Sequence, residues 1–301
     1  MYLIYSNGHS ATRWLSRNLT VDNYSKCYHS TDLLDINPNI KNTIDYHNHL
    51  KTLETRNSLI TGSIHLPFHL NPKEFDMLNS MDESQFCLLR NPVHKINSIM
   101  QFYLEKFLIY GFFSNKKKVY KSNFNNLKIS VDELFLLCND QINLNFHKYK
   151  FSKNKYYSKY IYETLKLRLK KIFFNYDIIN SNILSRENIN FISLVLINLF
   201  LYALSNCLRF DQNSKIFADE KIILYEKITL DKKNFLYCVE KFDKNFNLDF
   251  LKCSNFDKKI GANFKKQNGS KFWPKSFYSF FVEKIETKKL SKYYSKIGYQ
   301  F

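Results

Sequence analysis

Acidic residues are scarce in this chain: 27 Asp and Glu stand against 45 Lys and Arg in 301 residues, a net charge of +18. Six glycines occur, and none belongs to a Gly-x-x-x-x-Gly-Lys-Ser/Thr loop. That argues against an ordinary nucleoside triphosphate P-loop and, with no Mg-binding carboxylate signature, against a nucleotide-dependent kinase. The six cysteines (Cys27, Cys87, Cys138, Cys207, Cys238, Cys253) lie far apart, with no Cys-x-x-Cys pair. Cys87 sits in an apolar strand and Cys207 at the end of an apolar helix, so both read as core thiols in a reduced compartment. His47-Asn48-His49 sets two histidines two apart, a spacing that could bind a metal. No further ligand spacing supports it, and it reads as chance in a polar loop, with no metal expected. The first strand starts within a residue or two of Met1 and leaves no room for a signal peptide or anchor, so a cytoplasmic protein is expected. Phe191 to Leu208 is nearly long enough to span a bilayer, but Ser193, Asn198, Ser205 and Asn206 interrupt it. A buried helix, with no transmembrane helix in the chain, is the reading.

Aromatic residues make up 17% of the chain, with 28 Phe and 21 Tyr, which argues against disorder. At this length the chain reads as a single domain spanning 1–301, with a helical insertion at about 113–175. The excess charge is not spread evenly. Residues 1–115 and 172–256 each hold ten basic and ten acidic residues, whereas 116–171 holds fourteen against four and 257–301 eleven against three. Two basic blocks on a neutral frame suggest two surfaces that face anions: a nucleotide, an acidic acceptor or a membrane surface. Solvated basic faces are the alternative for 116–171.

Along the chain, strands are expected at Tyr2–Tyr5, Ser58–Ile64, Phe86–Leu89 and Lys221–Tyr225. Helices are expected at Ala11–Asn18, from Asn71-Pro72, from Pro92 towards Tyr110, at Lys233–Phe246 and at Ser276–Tyr294. Residues 30–50 read as an irregular polar stretch with room for a short helical piece. Alternating strand and helix imply an α/β fold with a central parallel sheet covered on both faces.

Two stretches carry most of the chemistry. Ser6-Asn7-Gly8-His9-Ser10-Ala11-Thr12-Arg13-Trp14 follows the first apolar run, and Arg90-Asn91-Pro92, running on to Ser98, follows the third. Each is a strand end leading into a helix N-terminus, whose unpaired N–H groups and positive dipole end suit an anion. In the first, Gly8 permits close backbone approach and Ser10 is placed to cap the helix. The N–H groups of Ala11, Thr12 and Arg13 and the hydroxyls of Ser10 and Thr12 are then the candidate ligands of a phosphate or sulfate.

These residues resemble the sulfotransferases that use 3′-phosphoadenosine 5′-phosphosulfate. Ser10-Ala11-Thr12-Arg13-Trp14 is similar to that family's loop for the 5′-phosphosulfate, with His9 where the family has Lys or Arg. Arg90, Asn91, Pro92 and Ser98 match its Arg-(Asn/Asp)-Pro element, with a Ser eight positions after the Arg, which holds the 3′-phosphate. Ile64-His65-Leu66-Pro67 resembles the Thr-His-Leu-Pro stretch that carries the catalytic base, with Ser63 where that branch has Lys. Ile223-Leu224-Tyr225-Glu226-Lys227 resembles a late Tyr-Glu-Asp strand, and Lys296-Ile297-Gly298-Tyr299 the close of the fold. Lys265-Lys266-Gln267-Asn268-Gly269 lies at the depth of the family's late basic-Gly element without matching its wording.

The resemblance implies a three-layer sandwich of P-loop-like topology and sulfuryl transfer to a hydroxyl. The expected acceptor is a carbohydrate, on a glycan or glycolipid precursor. His65 is then the general base. His9 would neutralise the bridging oxygen as the S–O bond breaks, unless Arg13 or a Lys of the C-terminal block supplies that charge. Gly8, His9, Ser10, Ala11, Thr12 and Arg13 would bind the phosphosulfate, with Arg90, Ser98, Lys265 and Lys266 on the 3′-phosphate. Two other readings accompany it. One is a basic protein binding single-stranded nucleic acid through 116–171, with Tyr149, Phe151, Tyr156, Tyr157, Tyr160 and Tyr162 for stacking. The other is a catalytically inactive sulfotransferase-like protein.

Overall fold

A computed structural model of the chain describes residues 1–8, 10–29, 37, 39–64, 84–110, 131–148, 186–251, 256 and 273–301. In chain order its main elements are β1 (Tyr2–Tyr5), α1 (Thr12–Asn18), β2 (Ser25–His29), α2 (Thr43–Asn57), β3 (Ile60–Ile64), β4 (Ser84–Leu89), α3 (Pro92–Tyr110), α4 (Val131–Lys148), α5 (Arg186–Asn213), β5 (Ile222–Leu224), α6 (Tyr225–Ile228), α7 (Lys232–Val239), α8 (Lys275–Thr287) and α9 (Ser291–Lys296). The chain divides into two compact units, Met1–Asn91 with Arg209–Lys265 and Pro92–Leu208 with Lys266–Phe301. The expected helix from Asn71-Pro72 lies outside the described residues.

The first unit is α/β, built on a five-stranded sheet in the order β2-β3-β1-β4-β5. Every pairing is parallel: Ile4 lies opposite both Ile64 and Phe86, His29 opposite Ile64, and Leu89 opposite Leu224. All four residues of β1 are buried, as a central strand covered on both faces requires. Tyr2 and Ile4 join Trp14, Leu15, Phe86, Leu88, Phe235 and Phe242 in one apolar cluster, which seats α1 and α7 on the sheet. Gly62 lies opposite Tyr2 and has to be glycine. A Cβ there would stand inside the Tyr2 ring, in collision with Cζ and both Cε atoms. That ring stacks on Phe242 at 5.6 Å and 22°, with Phe246 tilted beside it at 5.7 Å.

Two elements of this unit depart from the sequence expectation. β2 was not anticipated at all; its buried residues Ser25, Cys27 and His29 alternate with exposed Lys26 and half-buried Tyr28. The polar stretch up to residue 50 contains the start of a fifteen-residue helix, α2, so His47 and His49 are helical rather than in a loop. Asn42 starts it by accepting the Asp45 N–H at 2.8 Å, and Thr43, Tyr46, His47 and Leu50 form its buried stripe. On the sheet side, the Tyr46 hydroxyl pairs with Ser63 Oγ at 2.6 Å.

In its described residues the second unit is helical. Phe200 of α5 stacks on Phe277 of α8 at 4.1 Å and 17°, and Phe135 of α4 meets Phe277 edge-on. α5 is long and apolar enough to cross a membrane, and 72% of its apolar window is buried within the chain. The expected final helix is broken in two. Lys289 takes a left-handed φ of 53°, the Leu290 N–H reaches back to the Ile285 carbonyl at 2.9 Å, and α9 starts afresh. That 6→1 bond closes α8 as a glycine-type C-cap does, with lysine in glycine's place.

Candidate anion site at the carboxyl edge of the sheet

From β1 the chain leaves towards β2 on one side of the sheet; from β4 it leads to β5 on the other. β1 and β4 are hydrogen-bonded neighbours, so the order reverses between them. In open parallel sheets the crevice beyond such a reversal is where ligands bind. The loop after β1 and Arg90 after β4 therefore open at the same sheet edge, beyond adjacent strands.

The loop after β1 is tightly folded. Ser6 and Ser10 are buried; the Gly8 N–H donates to Ser6 Oγ at 3.2 Å and the Ser10 hydroxyl to the Gly8 carbonyl at 3.3 Å. Gly8 holds a φ of 80° and Ala11 a left-handed φ of 54°. The expectation that Ser10 caps α1 is corrected here. Ala11 occupies the N-cap and makes no side-chain cap hydrogen bond, and Ser10 is turned back onto Gly8. Thr12 is buried, and its Oγ1 lies 3.1 Å from His29 Nε2, at the end of β2. Arg13 is exposed. His9 lies outside the described residues, as do His65, Lys265 and Lys266.

Beyond β4, Arg90 is 2% exposed, a buried cation at a sheet edge. Its guanidinium carbon sits 4.6 Å from the centre of the Tyr225 ring, and Tyr225 is the first residue after β5. Next to it, Glu226 Oε1 accepts the Asn91 N–H at 2.9 Å. The two residues after β5 thus grip the two residues after β4, one through a cation–π face and one through a charge-assisted hydrogen bond. Glu226 is engaged in holding the backbone here. Ser98 is half-buried on α3, in the second unit. Ser63 is fully buried on β3, its hydroxyl paired with Tyr46.

Behind the site the sheet is deeply buried. Burial pushes the Cys27 thiol up to about 12, and the Tyr2 phenol is raised well above its ordinary value for the same reason. Cys87 and Cys207 are fully buried, as expected of core thiols. Among the described residues, no group of three or more His, Cys, Asp and Glu side chains is placed to hold a metal. His29 and Tyr225 are the two site residues that the motifs did not nominate. Neither carried a readable signal: Ser25–His29 alternates in burial but not in polarity, and nothing pointed to the Tyr225 ring contact.

No family model matches the chain, and neither the curated proteins nor the solved structures contain a match.

Proposed function

We propose that the chain is a sulfotransferase, moving a sulfuryl group from 3′-phosphoadenosine 5′-phosphosulfate to the hydroxyl of a carbohydrate acceptor. The observation that carries this reading is the adjacency of β1 and β4, which puts a helix-entry loop with alanine at the N-cap and a buried arginine beyond neighbouring strand ends. α1 and α7 on one sheet face and Tyr46 of α2 on Ser63 support a three-layer, P-loop-like arrangement.

The residues present fit an anion at each end of the crevice. The first-turn N–H groups of α1 have no side-chain acceptor of their own cap, so Thr12 and Arg13, with the Gly8–Ala11 backbone, take the 5′-phosphosulfate. Arg90 takes the 3′-phosphate. The Tyr225 face holds the guanidinium at the end of β5, and the fork suits bidentate donation to a phosphate. When bound, the nucleotide supplies the sulfuryl group. His65 takes the acceptor's proton, and His9 or Arg13 neutralises the charge left on the bridging oxygen. The reaction proposed here is a cytoplasmic one, a reading that rests on the wide spacing of the six cysteines in the sequence. The acceptor is a glycan or glycolipid precursor, and the basic stretch 116–171 meets the anionic surface that carries it.

Arg90→Ala tests this directly. Hydrogen bonds to a charged group contribute about 1.5–3 kcal/mol each. The variant should bind adenosine 3′,5′-bisphosphate roughly 100-fold more weakly while binding adenosine 5′-phosphate nearly as before. Equal losses for both ligands would remove Arg90 from the 3′-phosphate.

A further inference from the structure

We infer that His29 is a positioning residue for the loop after β1, holding the Thr12 hydroxyl so that its proton points to a bound anion. The inference rests on reading that loop as the phosphosulfate site. It is carried by one contact: Thr12 Oγ1 and His29 Nε2 lie 3.1 Å apart, each residue 6% exposed. Thr12 opens α1 and His29 closes β2, so the pair also ties the loop to the sheet edge.

A threonine hydroxyl has one proton and two acceptor lone pairs. Where Nε2 carries hydrogen, it donates to Oγ1, and the Thr12 proton is left to a second acceptor. Where Nε2 is bare, Thr12 donates to the imidazole and offers an incoming anion only lone pairs. The two arrangements have opposite consequences for a phosphate in the loop. Anion binding therefore selects the form of His29 with hydrogen on Nε2. His29 need not touch the ligand to do this, and no bond is made or broken.

Four variants and one spectrum test it, with adenosine 3′,5′-bisphosphate as the probe: Thr12→Val, His29→Ala, His29→Gln and the Thr12→Val/His29→Ala double. Thr12→Val and His29→Ala should each weaken binding roughly 10- to 100-fold, the worth of one hydrogen bond to a charged group. The double variant should bind no worse than Thr12→Val, because His29 acts through that hydroxyl. His29→Gln, which keeps an N–H donor, should recover most of the affinity. In the wild-type protein, the His29 Nε2 nitrogen resonance should be of the N–H type in the complex. A merely structural tie between α1 and β2 would show the same coupling and the same rescue by Gln, since either variant breaks it and an N–H donor restores it, but it sets no tautomer in the complex, so the nitrogen resonance is the readout that separates the two. Unchanged affinity in folded His29→Ala, or a bare Nε2 in the wild-type complex, would overturn the inference while leaving the loop's role intact. Folded wild-type protein that binds no bisphosphate would overturn both.

Discussion

Replacing Gly62 with alanine should destabilise the protein by about 3 kcal/mol, at the upper end of the 1–3 kcal/mol typical of overpacking in a core. The reasoning is steric. The added methyl collides with three atoms of the Tyr2 ring, and that ring has nowhere to go. It is fully buried, stacked on Phe242 at 5.6 Å with Phe246 at 5.7 Å, so yielding to the methyl disturbs two more aromatic contacts. Expelling the ring altogether costs no less, since truncating a buried aromatic to alanine costs about 3–5 kcal/mol. At about 2.1 cal/mol/K per residue, unfolding 301 residues carries an entropy of roughly 0.6 kcal/mol/K, so the melting temperature should fall by about 5 °C. Urea titration should show a lower midpoint at unchanged slope. A double-mutant cycle isolates the cause. In a Tyr2→Ala background the methyl enters vacated space, so Gly62→Ala should cost almost nothing further, a coupling of about 3 kcal/mol. A single-variant loss below about 0.5 kcal/mol, or losses that add, would refute the packing account.

Alkali should unfold the protein partly through Cys27. Its folded value of about 12 lies above the ordinary thiol value of 9.0, so only the unfolded chain ionises between them. Stability should fall by about 1.4 kcal/mol per pH unit across that window, and Cys27→Ser or Cys27→Ala should flatten the slope of a urea midpoint-versus-pH series. Lys289→Gly should raise stability by about 0.5–1 kcal/mol by removing a side chain from a left-handed residue, read as a higher melting temperature. His9→Ala should lower sulfate turnover far more than nucleotide affinity, and an unchanged turnover would remove His9 from the mechanism. His65→Asn should abolish most transfer at saturating acceptor, where retention of the normal rate would require another base.

Much of the sheet was readable because its central strands are short apolar runs that stop at polar turns. Tyr2–Tyr5 and Phe86–Leu89 show this plainly, and Pro92 marks the start of α3 at a position where its missing N–H costs nothing. β2 escaped because Lys26 and Tyr28 interrupt its buried residues, and Ser25 and His29 do not look apolar. α2 escaped for a related reason: two members of its buried stripe, Thr43 and His47, are polar, and its Asn42 cap sits in a stretch rich in other asparagines. The break after α8 has no local signature, since lysine gives no hint of a left-handed φ. Arg90 follows β4 directly, as its Asn-Pro context suggests, and the strand order puts β4 beside β1. The roles of Tyr225, Glu226 and His29 were not legible, because each depends on a neighbour brought in by sheet pairing rather than by spacing. Ser10 misled, because serine before a helix ordinarily caps it, whereas here Ala11 takes that place.

The most direct test of the central claim is thermal denaturation of the whole chain with adenosine 3′,5′-bisphosphate, ATP or single-stranded DNA. A ligand that binds only the folded protein stabilises it by about 2.7 kcal/mol at a hundredfold excess over its dissociation constant. Two anion cradles beyond β1 and β4 predict a clear rise in melting temperature with the bisphosphate and a much smaller one with ATP. No response to the bisphosphate, with stabilisation by DNA, would contradict the account.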